Sequence, residues 1–326
     1  MIFQTLLIPV VAIFGITVGL FYRGIDRILA ARMQGRIGPP LQQPFRDVKK
    51  LLVKEETQPV NAYGWLFHLM PIVALTSALI ILLYLPLGGF PPLLEGYGDL
   101  ILVLYLFSLP SLALVLGGFS SASPYAEVGA QREVVKMLSY ELPLIIASFA
   151  VVWLISLSTG NPFSLWLISL NPGWNLTGWL GWVGLLILFA VLLFVMPGEL
   201  GSVPFDLQSA DSEIAGGLLT EYSGRNLAIY YLADVVKTIA FASLIIALFL
   251  PFNLSTIFPI SGFFGSILDF LFYLLKLFFV TFLGFTLPRV VTGRLEINKL
   301  VTVYWKYAAL AALAGFALVG VNIIFG

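Results

Sequence analysis

Long apolar stretches alternate with shorter polar ones along the whole chain. Windows of about 20 apolar residues, the length at which a helix crosses the hydrocarbon core of a bilayer, recur eight times. The expected spans are residues 2–22, 65–87, 99–118, 134–157, 178–197, 226–250, 264–288 and 300–325. Because the first span lacks the flanking features of a cleaved signal peptide, we expect it to be retained. The pattern predicts an all-α integral membrane protein with about eight transmembrane helices.

The segments between the spans differ in charge. Most lysines and arginines lie in one set of loops, whereas the other set has none. Basic residues occur in the first set, 23–64, 119–133, 198–225 and 289–299. They are absent from the second set, 88–98, 158–177 and 251–263. Since basic loops favour the cytoplasmic side, we expect the first set to be cytoplasmic and both termini to lie outside the cell membrane. With no repeat or low-complexity linker, residues 1–326 are expected to form a single membrane domain.

The first cytoplasmic loop, 23–64, is predicted to contain an amphipathic helix. Gly35-Arg-Ile-Gly-Pro-Pro40 breaks the preceding helix, and apolar residues then recur at helical spacing between Phe45 and Glu56, with lysines and an arginine between them. Such a helix can anchor the chain to anionic lipid headgroups. It can equally form a docking platform for a cytoplasmic partner, and the periodicity favours neither.

Composition excludes several kinds of redox site. Hydrophobic residues make up 60% of the chain and charged residues 10%, the formal net charge is zero, cysteine is absent and His68 is the only histidine. A chain of this kind offers no thiolate ligands for iron–sulfur clusters and no histidine pair for haem. We therefore expect no catalytic, metal or cofactor site here, and any electron transfer would take place in another subunit.

Several ionisable residues lie inside the predicted spans, where a charge costs about 3 kcal/mol on insertion scales. Glu141 precedes Pro143, whose ring frees the carbonyl of Ser139. Asp234 and Lys237 are three residues apart and close enough to pair, and Asp269 and Lys276 share one helix face. These groups can be structural ion pairs between helices. They can also form a path for protons or sodium ions, because shielded carboxylates exchange protons near neutral pH.

The loop 198–225 is acidic. Its carboxylates, set against the single basic residue Arg225, are Glu199, Asp206, Asp211, Glu213 and Glu221. Mutual repulsion in such a cluster raises proton affinity. A solvated acidic loop without a role in ion transfer has the same composition, so both interpretations stay open.

Four stretches, taken in order, resemble the membrane subunit that joins the hydrophilic arm to the membrane arm in respiratory complex I, in energy-converting membrane-bound hydrogenases and in ferredoxin-linked sulfur reductases. The stretches are Asp26-Arg27 with Arg36-Ile-Gly-Pro39 and Leu51-Leu-Val-Lys-Glu55; Gly129-Ala-Gln-Arg132 through Leu138-Ser-Tyr-Glu141; Pro204-Phe-Asp206, Asp211, Glu213 and Glu221-Tyr-Ser-Gly224 with Asp234; and Leu287-Pro-Arg289.

The resemblance implies a non-catalytic subunit that couples a cytoplasmic ferredoxin-linked oxidoreductase module to proton or sodium translocation. Expected partners are hydrophilic iron–sulfur and hydrogenase-like subunits, which would carry iron–sulfur clusters or nickel–iron, and antiporter-like and small membrane subunits. The implied ion path comprises Glu141, Asp206, Asp211, Glu213, Glu221, Asp234 and Lys237. The implied interface with the redox module comprises Asp26, Arg27, Arg36, Gly38, Pro39 and Arg132.

Two departures from the motifs of this superfamily indicate the branch that the sequence resembles most. Pro40-Leu-Gln-Gln-Pro44 follows the Arg-x-Gly-Pro motif, where quinone-reducing members usually have Asn-Arg-Val-Gly, and Gln208-Ser-Ala-Asp211 stands where Pro-Glu-Ala-Glu is common. Both favour the hydrogenase or sulfur reductase type over a quinone-site subunit of a NADH or ferredoxin:quinone oxidoreductase. A stand-alone secondary transporter is the alternative of another class, although no pair of interrupted helices is evident. An aspartate-dependent intramembrane transferase has only weak support.

Overall fold

The computed structural model describes residues 2–96, 98–257 and 262–325, and the side chains of residues 2–5, 211, 212, 256, 257, 263 and 325 lie outside that description. The described helices are α1 (Ile2–Met33), α2 (Gln43–Val53), α3 (Gly64–Tyr84), α4 (Asp99–Ser120), α5 (Pro124–Ile155), α6 (Leu165–Leu170), α7 (Trp179–Glu199), α8 (Asp211–Ile214), α9 (Gly224–Phe249), α10 (Leu254–Ile257), α11 (Phe263–Thr281), α12 (Leu287–Val291), α13 (Ile297–Thr302) and α14 (Ala309–Phe325).

Eight spans long and apolar enough to cross a membrane occur within these ranges, as predicted. Six are α1, α3, α4, α5, α7 and α9. The seventh joins α11 to α12 through a π-helical turn, Phe282–Thr286, and the eighth joins α13 to α14 through another, Val303–Ala308. The all-α membrane fold is therefore confirmed, with a local widening of the helix in each of the last two spans.

Two helices extend well beyond the predicted spans. Helix α1 continues to Met33, although its apolar span was expected to end at residue 22, and α5 begins at Pro124 instead of residue 134. Hydropathy finds only the apolar part of a helix, whereas a polar extension persists when its charges have partners. Pro124 also suits the first turn of a helix, where its missing N–H is not needed. Both extensions carry motif residues that the sequence had assigned to loops.

Helix α9 forms the centre of the bundle. It packs against α1, α2, α3, α6, α7 and α11 and is buried on almost every side. A helix that is apolar around its whole circumference is stable only where other helices enclose it. The polar side chains of α9 are therefore surrounded by protein and must find partners on neighbouring helices.

The predicted amphipathic helix corresponds to α2. Pro44 lies in its first turn and, with Val48, is buried against the bundle, while Lys49 and Lys50 are exposed. Phe45 and Leu52, which were expected on the apolar face, are exposed instead. Because α2 packs against α1 and α9, its inner face is held by protein contacts, and its outer face is both basic and apolar.

The acidic loop folds back against the bundle. Phe205, Leu207 and Leu218 are almost completely buried, and the backbone N–H of Leu218 donates to the carbonyl oxygen of Gln208 at 3.1 Å. Gly217 has a positive φ of 57°, and a Cβ there would overlap the Gln208 backbone. This packing rules out a fully solvated loop, and the side chains of Gln208 and Glu213 contact α5.

Candidate functional site

A buried ion pair joins α7 to α9. The Lys237 ammonium lies 2.7 Å from Oε1 of Glu199, and both side chains are almost completely buried. Lys237 Nζ also donates to the Glu199 carbonyl oxygen at 2.9 Å and to the Ser111 hydroxyl of α4 at 3.0 Å. Helix α7 was expected to end at residue 197, so Glu199 had been assigned to the acidic loop. Three helices therefore meet at one buried cation.

Asp234 does not pair with Lys237, contrary to the expectation from their spacing. Its carboxylate lies 2.8 Å from the Arg23 guanidinium of α1, which is also stacked 4.8 Å from the centre of the Phe285 ring. Residues three apart on a helix are separated by about 60° around the axis. Lys237 therefore points towards α4 and α7, and Asp234 points towards α1. The packing of these helices determines which partner each residue meets.

A second buried ion pair lies within α5. Lys136 Nζ is 2.6 Å from Oε2 of Glu133, and each side chain is 1% exposed. Lys136 also donates to the Gln208 side-chain oxygen of the acidic loop at 3.1 Å. Neither residue was among those expected from the sequence to belong to a functional site. Their spacing of three, with opposite charges on a helix, was the signal available.

Glu141 lies two turns further along α5, about 12 Å from Glu133 by helical rise, and is half-buried. Electrostatic interactions link its carboxyl group to Glu199 and Lys237. The neighbouring Tyr140 hydroxyl is 3.3 Å from the Ser111 hydroxyl, which in turn receives the hydrogen bond from Lys237. Glu141 is therefore close to the buried pair of α7 and α9 but also reaches the surface of the bundle.

Two adjacent cavities lead towards these pairs. The large cavity, of about 690 Å³, is lined among others by charged side chains from α1, α2, α9, α12 and the acidic loop. These are Arg23, Arg27, Asp47, Asp206, Asp234 and Arg289. The small cavity, of about 40 Å³, is lined by Glu133, Lys136, Glu199 and Lys237. The two cavities adjoin, because the same residues line both: Leu114, Leu200, Gly201, Gln208, Tyr230 and Asp234.

The remaining acidic-loop residues differ in their surroundings. Asp206 lies 3.0 Å from the Arg294 guanidinium and accepts a hydrogen bond from Ser209. Glu213 is half exposed and lies 2.5 Å from Arg132, so it does not share the buried cluster. Glu221 is partly buried just before α9. The Asp211 side chain lies outside the described part of the chain.

Residues expected at the interface with a redox module occupy two places. Arg27, Arg36 and Pro39 line a groove of about 350 Å³, with Arg289 on its wall. Asp26 is buried and pairs with Arg289 at 2.6 Å. Gly38 packs against α1, where a Cβ would lie 2.8 Å from the Cα atom of Ile28. Arg132 is held at Glu213 instead, on the other side of the acidic loop.

Arg27 connects the groove to α2. Its guanidinium lies 2.6 Å from the Asp47 carboxylate and 3.2 Å from the Tyr231 hydroxyl of α9. Burial raises the pKa of Asp47, but hydrogen bonds from Arg27 and Gln43 outweigh it and hold that pKa below its ordinary value. Asp47 is therefore ionised at neutral pH and ties α2 to α1.

Asp269 and Lys276, at the other end of the bundle, also have separate partners. Asp269 accepts hydrogen bonds from the Ser255 backbone N–H at 2.8 Å and hydroxyl at 2.6 Å. Lys276 donates to the carbonyl oxygens of Leu250 and Phe252 at 2.9 and 2.8 Å. A cation at the C-terminal end of a helix is favourable, so Lys276 stabilises the end of α9.

Comparison with known proteins identifies the family of this chain. The NADH dehydrogenase family profile matches residues 5–320, nearly the whole chain. The chain belongs to the NADH dehydrogenase family. Hydrogenase-4 component C of Escherichia coli is 38% identical over 71% of each chain. An NADH-quinone oxidoreductase subunit of Carboxydothermus hydrogenoformans is 30% identical over 95% of this chain and 87% of its own length.

The fold has a counterpart of known structure. A chain of a membrane-bound sulfane sulfur reductase, an archaeal respiratory membrane complex, superimposes with a TM-score of 0.83 and 26% identity, covering 97% of this chain and 99% of that chain. This member of the NADH dehydrogenase family is therefore a multi-pass membrane subunit of a complex I-like, hydrogenase or sulfur reductase assembly. The family resemblance inferred from four motifs is confirmed.

Among the residues that the structure describes, no group of three or more histidine, aspartate or glutamate side chains is placed to hold a metal ion. The buried carboxylates Glu133 and Glu199, and the partly exposed carboxylate of Asp234, each face a lysine or arginine. A side-chain cation therefore already lies next to each of these carboxylates.

Proposed function

We propose that this chain couples a cytoplasmic ferredoxin-linked oxidoreductase module, of hydrogenase or sulfur reductase type, to the translocation of protons or sodium ions across the cell membrane. The main support is the buried pair of Glu199 and Lys237. Both side chains line the small cavity, next to the large one, and both interact electrostatically with Glu141. Because buried charge is costly in a membrane helix, its placement beside a cavity favours ion transfer over simple packing.

The ion path that we propose starts at the large cavity, with Asp206 and Asp234, and continues to Lys237 and Glu141. Asp211, Glu213 and Glu221 would stand at its entrance on the acidic loop. Beyond Lys237, the side chains around α9 are mostly apolar as far as Phe249, apart from the hydroxyl pair of Ser243 and Tyr273, so ions would leave sideways near Glu141. That exit agrees with the half-buried position of Glu141, where antiporter-like and small membrane subunits would receive the ions.

The redox module would dock on the groove that Arg27, Arg36 and Pro39 line, on the side assigned to the cytoplasm by the basic loops. Asp26 and Gly38 would hold the shape of this groove, and Arg132 would orient the acidic loop next to it. The hydrophilic partner would supply the iron–sulfur clusters, and nickel–iron in the hydrogenase type.

The Glu141→Gln variant tests the proposed coupling. In membrane vesicles energised with reduced ferredoxin, the assembled variant complex should transfer electrons at close to the wild-type rate but translocate few ions. Glutamine keeps the size and hydrogen bonding of the side chain while removing its charge. Normal ion translocation by an intact Glu141→Gln complex would contradict this role.

A quinone-site subunit is the second candidate, and the large cavity favours it because about 690 Å³ can enclose a ligand of drug size. The three arginines and three aspartates on the wall suit a hydrated path better than an apolar ring. Rapid, saturable reduction of a short-chain quinone by the purified complex would favour this candidate. A stand-alone transporter would instead purify without an iron–sulfur oxidoreductase.

A further inference from the structure

The ion pair of Glu133 and Lys136 has no part in the path described so far. Both side chains are 1% exposed, so neither charge is stabilised by bulk solvent. Replacing such a pair with apolar residues is often neutral or stabilising, so a buried pair is weak evidence for a role in stability alone. The position of this pair points to another role.

The small cavity brings the two buried pairs together. Glu133 and Lys136 of α5 lie on its wall with Glu199 and Lys237, and Ser111 contributes a hydroxyl. At about 40 Å³ and with polar groups on several sides, the cavity has room for more than one hydrogen-bonded water molecule. Water in such a cavity can carry a proton between carboxylates that do not touch.

Gln208 lies where the small cavity adjoins the large one. Its side-chain oxygen accepts the hydrogen bond from Lys136 at 3.1 Å, and its side-chain nitrogen donates to the Gly201 carbonyl oxygen at 3.3 Å. Gln208 lines both cavities. The acidic loop therefore contacts the α5 pair directly, and a movement of this loop would change the hydrogen bonding of Lys136.

We propose that Glu133 and Lys136 are a proton relay between the large cavity and Glu199, an inference that rests on the proposed function. A proton that arrives from the large cavity binds the Glu133 carboxylate, and the α5 pair changes from net neutral to singly positive. The same proton then passes through water in the small cavity to the Glu199 carboxylate. Glu133 returns to its ionised state beside Lys136, and the positive charge moves to the pair of Glu199 and Lys237.

The test removes the titratable groups but keeps the packing. In the assembled complex, Glu133→Gln combined with Lys136→Met replaces the pair with neutral side chains of similar size. We expect proton translocation per electron transferred to fall by about tenfold or more, with electron transfer and assembly retained. Should this double variant fail to assemble, Glu133→Gln combined with Lys136→Gln serves, because it leaves no unpaired buried charge and the amide introduced at position 136 can still donate to Gln208.

A matched control exists on the surface. Glu296 and Lys299 have the same spacing, lie 3.3 Å apart and are 74% and 64% exposed. Glu296→Gln combined with Lys299→Met should leave the ratio of protons to electrons unchanged. Glu133→Asp, which keeps a carboxylate beside Lys136, should retain part of the ratio that the neutral pair loses, whereas a purely structural role predicts no change in the ratio for any of these variants.

Parallel measurement of Glu141→Gln separates this inference from the proposed function. Loss of translocation in Glu141→Gln together with a wild-type ratio in the neutral α5 pair would overturn the relay and leave the proposed function standing. A wild-type ratio in both variants would overturn both. Loss in both, with the surface control unaffected, is the result that the relay predicts.

Discussion

Lys237 extends from α9 to the last residue of α7, where its ammonium contacts the Glu199 carboxylate at 2.7 Å and the Glu199 carbonyl oxygen at 2.9 Å. The end of a helix has carbonyl oxygens without partners inside the helix, and a cation there is favourable. Lys237 thus holds the end of α7 in place and neutralises a buried carboxylate. One side chain links the central helix to the start of the acidic loop.

Loss of this cation should be costly. In Lys237→Met, Glu199 stays buried without its partner, and removal of one member of a buried pair costs about 3–5 kcal/mol. We expect poor assembly of the complex and a lower denaturation temperature, measured on purified complex by differential scanning fluorimetry. Adding Glu199→Gln should restore much of the stability, because no unpaired charge is then left. Equal stability of Lys237→Met and wild type would show that Glu199 does not need this partner.

Close packing between α7 and the π-helical turn of the last span gives a second prediction. A Cβ at Gly198 would lie 2.9 Å from Cζ of the buried Tyr304 ring. Gly198→Ala should therefore destabilise the subunit by about 1–3 kcal/mol, as overpacking does in a well-filled core. Thermal denaturation of the purified complex measures this effect.

Gly293→Ala is the control for this effect, because a Cβ there meets no heavy atom within 4 Å. If Gly198→Ala and Gly293→Ala have the same denaturation temperature, the tight contact with Tyr304 does not exist in the protein.

Acid pH should release α2 from the bundle. The pKa of Asp47 is held below its ordinary value, so its ionised form stabilises the folded state. That contribution is fully present above the unfolded pKa, about 4, and is lost as the pH falls through the lower folded pKa. Protection factors for amide hydrogen exchange in Gln43–Val53, which correct for the intrinsic pH dependence of exchange, should therefore fall below about pH 4.

Asp47→Asn is the matching variant for this experiment. It should lower the protection factors of α2 at neutral pH and abolish their acid dependence, while α9 amides stay protected. An α2 that exchanges at the same rate in wild type and Asp47→Asn would mean that the contact with Arg27 does not hold this helix.

Long apolar segments made the eight spans predictable, and helical spacing identified α2. The choice of ion-pair partners was not predictable, because it depends on how distant helices pack. Asp234 had Lys237 as its only obvious partner in the sequence, whereas folding brings Arg23 to it from 211 residues away. Arg23 had been placed in a loop because hydropathy falls before α1 ends.

The α5 pair was missed for a related reason. Glu133 lies just before the expected start of the fourth span, so it was counted with the polar loop, and Lys136 follows just inside that span. Only the structure places both on a helix that the acidic loop covers. Burial of a charged residue next to a span boundary can be predicted only when the segment that packs over it is known.

The central claim is that the buried charges conduct ions and do more than hold helices together. The most direct test is the number of ions translocated per electron by the assembled double variant Glu199→Gln with Lys237→Met, in vesicles driven by reduced ferredoxin. The neutral pair preserves the shape of the site without a mobile charge. Our account predicts normal electron transfer with ion translocation largely lost, and a wild-type ratio of ions to electrons would contradict it.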